Sequence, residues 1–76
     1  HYNGKYEQAL EQYQQALAIR EQIYGNNPHP RLATSYHNIG SVYYSQGKYE
    51  EALGQYRQTL AMLEQIYGSN PHPDLA

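Results

Sequence analysis

The chain has 76 residues and a net charge of -2, with ten tyrosines and no cysteine, phenylalanine or tryptophan. That length holds at most one small domain, and such a chain buries only about 60% of the surface it exposes when unfolded. Without cysteine there is no disulfide framework and no thiolate-held metal. A sequence pI near 6.0 supplies no strong field to recruit nucleic acid or an anionic membrane.

The five basic residues, Lys5, Arg20, Arg31, Lys48 and Arg57, are scattered rather than clustered. No apolar run approaches the ~20 residues of a membrane span, and no signal-peptide pattern is present. Neither nucleic acid nor membrane is therefore an expected partner, and the lack of cysteine fits a cytoplasmic setting. The chain begins at His1 rather than Met, which reads as a piece of something longer.

Taken in order, His1 to Asn3 read as the tail of a helix stopped at Gly4. Beyond it Tyr6, Ala9, Leu10, Tyr13, Ala16, Leu17, Ile23 and Tyr24 fall at steps of three and four. This spacing predicts a helix over about 5–24, with Gly25 as its left-handed stop. Asn26-Asn27-Pro28-His29-Pro30 is a tight connector, and Pro30 suits the first position of a helix. A second helix is expected over 30–46, with an apolar face of Leu32, Ala33, Tyr36, Ile39, Gly40 and Tyr43. Glycine in mid-helix costs about 1 kcal/mol relative to alanine, so Gly40 points to close approach by a neighbouring helix. A third helix is expected over 48–67, closed by Gly68. Pro73-Asp74-Leu75-Ala76 reads as the first turn of another.

The third helix repeats the first. Gly4 to Gly47, Gly25 to Gly68 and Pro30 to Pro73 are each 43 residues apart, and about two thirds of the aligned positions are identical. Self-similarity at such a period marks a solenoid, whose units need about three stacked copies for stability. Fewer than two periods are present here. The expectation is a three-helix, all-α fragment of a longer array, or a unit that completes itself by self-association.

The run Tyr36-His37-Asn38-Ile39-Gly40-Ser41-Val42-Tyr43-Tyr44-Ser45-Gln46-Gly47-Lys48-Tyr49-Glu50-Glu51-Ala52-Leu53 resembles the tetratricopeptide repeat pattern. Tyr36 stands where that family usually has Trp. Ile39, Gly40, Tyr43, Gly47, Tyr49, Ala52 and Tyr56 match further signature positions. Thr59 stands where the family has Ala, the residue that Ala16 supplies one repeat earlier. The long helix ending Glu64-Gln65-Ile66-Tyr67-Gly68, followed by His72-Pro73, is similar to the 42-residue repeats of kinesin light chains; the period here is one residue longer. Across residues 1–76 the resemblance implies an α-solenoid, a right-handed superhelix of antiparallel helix pairs, serving as a non-catalytic scaffold that binds proteins.

In that family the first helix of each repeat lines a concave groove. Carried onto this chain, the groove positions are Thr34, His37, Asn38, Ser41, Tyr44 and Ser45. Asn38 matches a position where family members use Asn against a bound peptide's backbone, and an amide offers both donor and acceptor. The bland alternatives are a solvated helix residue for Asn38 and a surface histidine for His37.

The recurring pairs Tyr6/Tyr49, Tyr13/Tyr56 and Tyr24/Tyr67 read as repeat core, whereas Tyr2 and Tyr44 fall off that stripe. His29 and His72 occupy equivalent connectors. Helix spacings of 8–10 Å would hold them roughly 10 Å apart or more, too far to share one metal ion. No nucleophile–base pattern and no Gly-rich phosphate loop appear, so neither catalytic residues nor a cofactor or metal site is expected.

Three functions compete. One is binding of a peptide or partner protein in the groove; the lining carries no Lys or Arg, which argues against a carboxylate as the recognised group. Another is structural self-assembly of near-identical units through their open ends. A helical repeat that reads RNA, of the pentatricopeptide sort, would need a basic groove, and this chain is acidic.

Overall fold

The computed structural model describes residues 2–25 and 27–68, with the side chains of residues 2 and 3 excepted. Three helices follow in order: α1, Tyr2–Tyr24; α2, Pro30–Ser45; and α3, Tyr49–Tyr67. No strand occurs among the described residues, so the all-α class stands. The expected turn at Pro73–Ala76 lies outside the described residues.

The stops follow from glycine. Gly25, Gly47 and Gly68 all take positive φ, at 63°, 81° and 85°, a region that side chains with a Cβ rarely enter. At the α2 exit Gly47 N–H donates to Tyr44 O and Lys48 N–H to Tyr43 O, at 3.0 and 2.8 Å. These bonds satisfy two carbonyls that the helix end would otherwise leave open. Glu50 and Glu51 then sit in the first turn of α3, where the helix dipole favours negative charge.

One expectation fails here. Gly4 shares its tetrapeptide Gly-Lys-Tyr-Glu with Gly47, yet α1 runs straight through it from Tyr2. The Gly47 turn is held by bonds to Tyr43 O and Tyr44 O; glycine accepts helical as readily as positive φ, and Gly4 stays within the helix.

The connector from α1 to α2 is built around His29. Its ring stacks on Tyr24 at 3.8 Å between centroids and 14° between planes. Its backbone is extended, at φ -151° and ψ 141°, and its side chain caps α2: Nδ1 accepts the Arg31 N–H at 3.1 Å. The proline at the first helical position has no N–H to satisfy. A histidine read as a connector residue thus sets the direction of the next helix.

α2 is the centre of the fold. It packs against both α1 and α3, which do not touch one another among the described residues. Among the described residues, every fully buried one except Ala52 of α3 therefore lies on α2: Leu32, Ala33, Ser35, Ile39, Gly40 and Val42. Tyr36 and Tyr43, expected on this face, are half-buried. α3 runs antiparallel to α2, since Thr59 Oγ1 reaches Ala33 O near the start of α2 while the Tyr44 and Tyr49 rings meet near its end. Gly40 is the point of closest approach: a Cβ placed there would lie 2.8 Å from Tyr56 Cε1 and 3.1 Å from Gln55 Cβ.

The tyrosine pairs do not all form core. Tyr6, Tyr24 and Tyr56 are half-buried, but Tyr49 is 63% exposed, Tyr67 57% and Tyr13 36%. Each copy of the repeated helix presents two sticky faces, and these residues provide a neighbour for only one of them.

Candidate functional site

The six groove positions form one stripe along α2. Thr34, Asn38, Ser41 and Ser45 follow at steps of four, three and four, with His37 and Tyr44 beside them. At 100° per residue this stripe points away from the buried arc centred on Leu32 and Ile39. Thr34, His37, Tyr44 and Ser45 are exposed, whereas Asn38 and Ser41 are half-buried. No Lys, Arg, Asp or Glu belongs to the stripe, so it offers hydrogen bonds and aromatic surface without fixed charge.

Not every polar group in it is available. Thr34 Oγ1 donates to Pro30 O at 3.1 Å, a local bond to its own helix. Ser41 Oγ accepts from Tyr56 Oη at 3.4 Å. The His37 ring lies 5.5 Å from the Tyr56 ring at 39°. Asn38 is different. Its amide makes no hydrogen bond to any described residue, which leaves a donor and an acceptor on a half-buried group.

Two residues outside the expected set belong to the same surface. Tyr56, read as core, reaches over Gly40 to touch both His37 and Ser41, forming the α3 edge of the stripe. Tyr49 packs on Tyr44 with centroids 5.3 Å apart and planes at 58°, and at 60% and 63% exposure the two make a solvent-facing aromatic pair. Gly40 was the signal for Tyr56, because a helix that pinches at a glycine needs a bulky residue opposite. Nothing in the spacing marked Tyr49.

The α1 side of α2 holds a polar clamp. Arg20 Nη1 donates to Ser35 Oγ at 2.7 Å and to Arg31 O at 3.2 Å. Ser35 is only 1% exposed, so this bond satisfies a buried hydroxyl. Beside it the Tyr36 hydroxyl is pushed above its ordinary pKa, first by burial and then by the nearby Glu21 carboxylate. Among the described residues no group of three or more His, Cys, Asp or Glu is placed to hold a metal ion, and no helix is long and apolar enough to cross a membrane.

No curated protein and no solved structure matches the chain significantly. The sequence model of the tetratricopeptide repeat family does match it, over residues 1–65. That span takes in α1, α2 and most of α3, including the Gly40 pinch and the Gly47 turn that join the last two. The chain belongs to the tetratricopeptide repeat family.

Proposed function

We propose that this chain is a segment of a non-catalytic scaffold that holds an extended peptide or a partner protein against the outer stripe of α2. Tetratricopeptide repeats generally mediate protein–protein interaction, and the stripe adds the chemistry. Asn38 carries the reading, since its half-buried amide has no hydrogen-bond partner among the described residues and can satisfy a peptide N–H and C=O together. Tyr44 and Tyr49 add an apolar platform at one end. With no cation in the stripe, the ligand is recognised through backbone and apolar side chains rather than through a carboxylate. The setting is cytoplasmic, and the long second helix with its His-Pro connector favours the kinesin-light-chain-like subclass.

Titrating a peptide library against a longer array containing this segment, and against its Asn38→Ala variant, tests the reading. Losing one hydrogen-bonding group should weaken binding by up to about tenfold. Equal binding by both would remove Asn38 from the site. A second reading, assembly of copies through their open ends, is favoured by exposed Ile19 and Ile23 on α1 and by Leu53 and Leu60 on α3. Sedimentation over a concentration series separates the two, because a stable monomer at high concentration rejects assembly.

A further inference from the structure

With no cysteine or tryptophan and a single methionine, one-electron oxidation of this chain falls on its ten tyrosines. Two of them meet in the open. The Tyr44 and Tyr49 rings lie 5.3 Å apart at 58°, and at 60% and 63% exposure both residues are accessible to a dissolved oxidant. The ring contacts of Tyr24 with His29 and of Tyr56 with His37 differ, since each pairs a half-buried phenol with an imidazole.

The turn between two helices sets this pairing. Tyr44 stands in the last turn of α2 and Tyr49 opens α3, with Gly47 at φ 81° between them. The bonds from Gly47 N–H to Tyr44 O and from Lys48 N–H to Tyr43 O hold that turn, so the two rings stay side by side. Tyr6, the copy of Tyr49 one repeat earlier, has His1 at the place of Tyr44. The sequence therefore offers the pair at the α2–α3 turn and not at its earlier copy.

We propose that Tyr44 and Tyr49 form an oxidative modification site, at which a haem peroxidase using hydrogen peroxide couples the two rings into a dityrosine that staples the end of α2 to the start of α3. Each phenol gives up one electron and one proton, and together these reduce one peroxide to two waters. The two phenoxyl radicals pair their electrons in a new bond between the ring carbons next to the C–O carbons. The hydrogens displaced from those carbons move to the oxygens and restore both phenols. Groups held as neighbours react as parts of one molecule, which favours this bond over cross-links between chains. Like a disulfide across a short loop, the bridge stabilises modestly by restricting the unfolded chain.

The test oxidises the dilute 76-residue chain with a haem peroxidase and hydrogen peroxide, then digests it with trypsin. Cleavage after Arg31, Lys48 and Arg57 puts Tyr44 and Tyr49 on separate peptides, residues 32–48 and 49–57. The expected product is those two peptides joined and short of two hydrogens, with dityrosine fluorescence, from a chain that keeps the mass of a monomer. Tyr44→Phe and Tyr49→Phe keep the rings and should each abolish the joined product, whereas Tyr43→Phe and Tyr56→Phe should retain it. Oxidation of Met62 registers instead as a gain of oxygen. Absence of the joined peptides from the parent chain would overturn the site, as would their survival in either of the first two variants or products made mainly between chains. Equal yield from the chain unfolded in urea would overturn the part assigned to the fold. The linked chain should melt a few degrees above the parent, and an unchanged melt would overturn the staple.

Discussion

Replacing Gly40 by alanine isolates the effect of close helix approach, because the same replacement at Gly54 provides its control. Both residues lie inside helices without positive φ. By helix propensity alone each change should stabilise the chain by about 1 kcal/mol. The surroundings separate them. A Cβ at Gly54 meets nothing within 4 Å, whereas at Gly40 it meets Tyr56 Cε1 at 2.8 Å, Cδ1 at 3.0 Å and Gln55 Cβ at 3.1 Å. The tyrosine ring can tilt, but Gln55 Cβ moves only with the α3 backbone, and forcing atoms into a filled interface typically costs about 1–3 kcal/mol. Offsetting the propensity gain against the middle of that range leaves Gly40→Ala less stable by about 1 kcal/mol. Melting temperatures of chains this size change by about 4–8 °C per kcal/mol. Thermal unfolding followed by circular dichroism should therefore move down for Gly40→Ala and up for Gly54→Ala. If the two variants rise together, α2 and α3 are not in contact at Gly40, and the placement of Tyr56 at the edge of the stripe falls with it.

Other changes test the connector, the buried hydroxyl and the core. His29→Ala removes both the cap on Arg31 N–H and the ring stacked on Tyr24, and should cost about 1 kcal/mol in urea unfolding, with His29→Asn recovering part of it. Because folding raises the Tyr36 pKa above the ordinary 10.0 through burial and Glu21, the unfolded chain releases that proton first. The stability associated with neutral Tyr36 is complete below pH 10 and is lost as pH rises toward the folded value. Urea unfolding across this alkaline range should show a shallower decline for Tyr36→Phe than for the parent chain. Ile39 is 3% exposed at the centre of α2; Ile39→Val should cost about 0.5–1.5 kcal/mol and Ile39→Ala about 2–5 kcal/mol, enough to abolish the cooperative melt of a marginally stable chain.

Features that depend on one helix at a time were legible in the sequence. Apolar spacing marked Leu32 and Ile39, and the three stops at Gly25, Gly47 and Gly68 follow from a conformation that other residues avoid. Gly40 could be read as a contact because glycine in mid-helix has a cost that something must offset. What escaped was decided between helices. The burial of Ser35 depends on α1, which brings Arg20 within hydrogen-bond reach, and the role of His29, expected only as a connector residue, depends on the Tyr24 ring beneath it. Gly4 and Gly47 share the run Gly-Lys-Tyr-Glu and still take different conformations. The tyrosine pairs diverge for a similar reason, since burial belongs to a residue and its neighbour together. In the stripe, the six positions share a face because helical geometry requires it. Which hydroxyls are already committed, and that Tyr56 and Tyr49 border them, depends on α3.

The arrangement of α1 and α3 around α2, without contact between them, also governs how fast this chain can fold. Each packed pair consists of neighbours along the sequence, joined by a connector of only a few residues. Among the described residues no contact waits for α1 and α3 to meet, so little loop-closure entropy is lost before the first interface forms. Helical folds of such low contact order form in microseconds to milliseconds. α2 with α3, sharing the Gly40 pinch and the Gly47 turn, makes a natural nucleus onto which α1 can zip last.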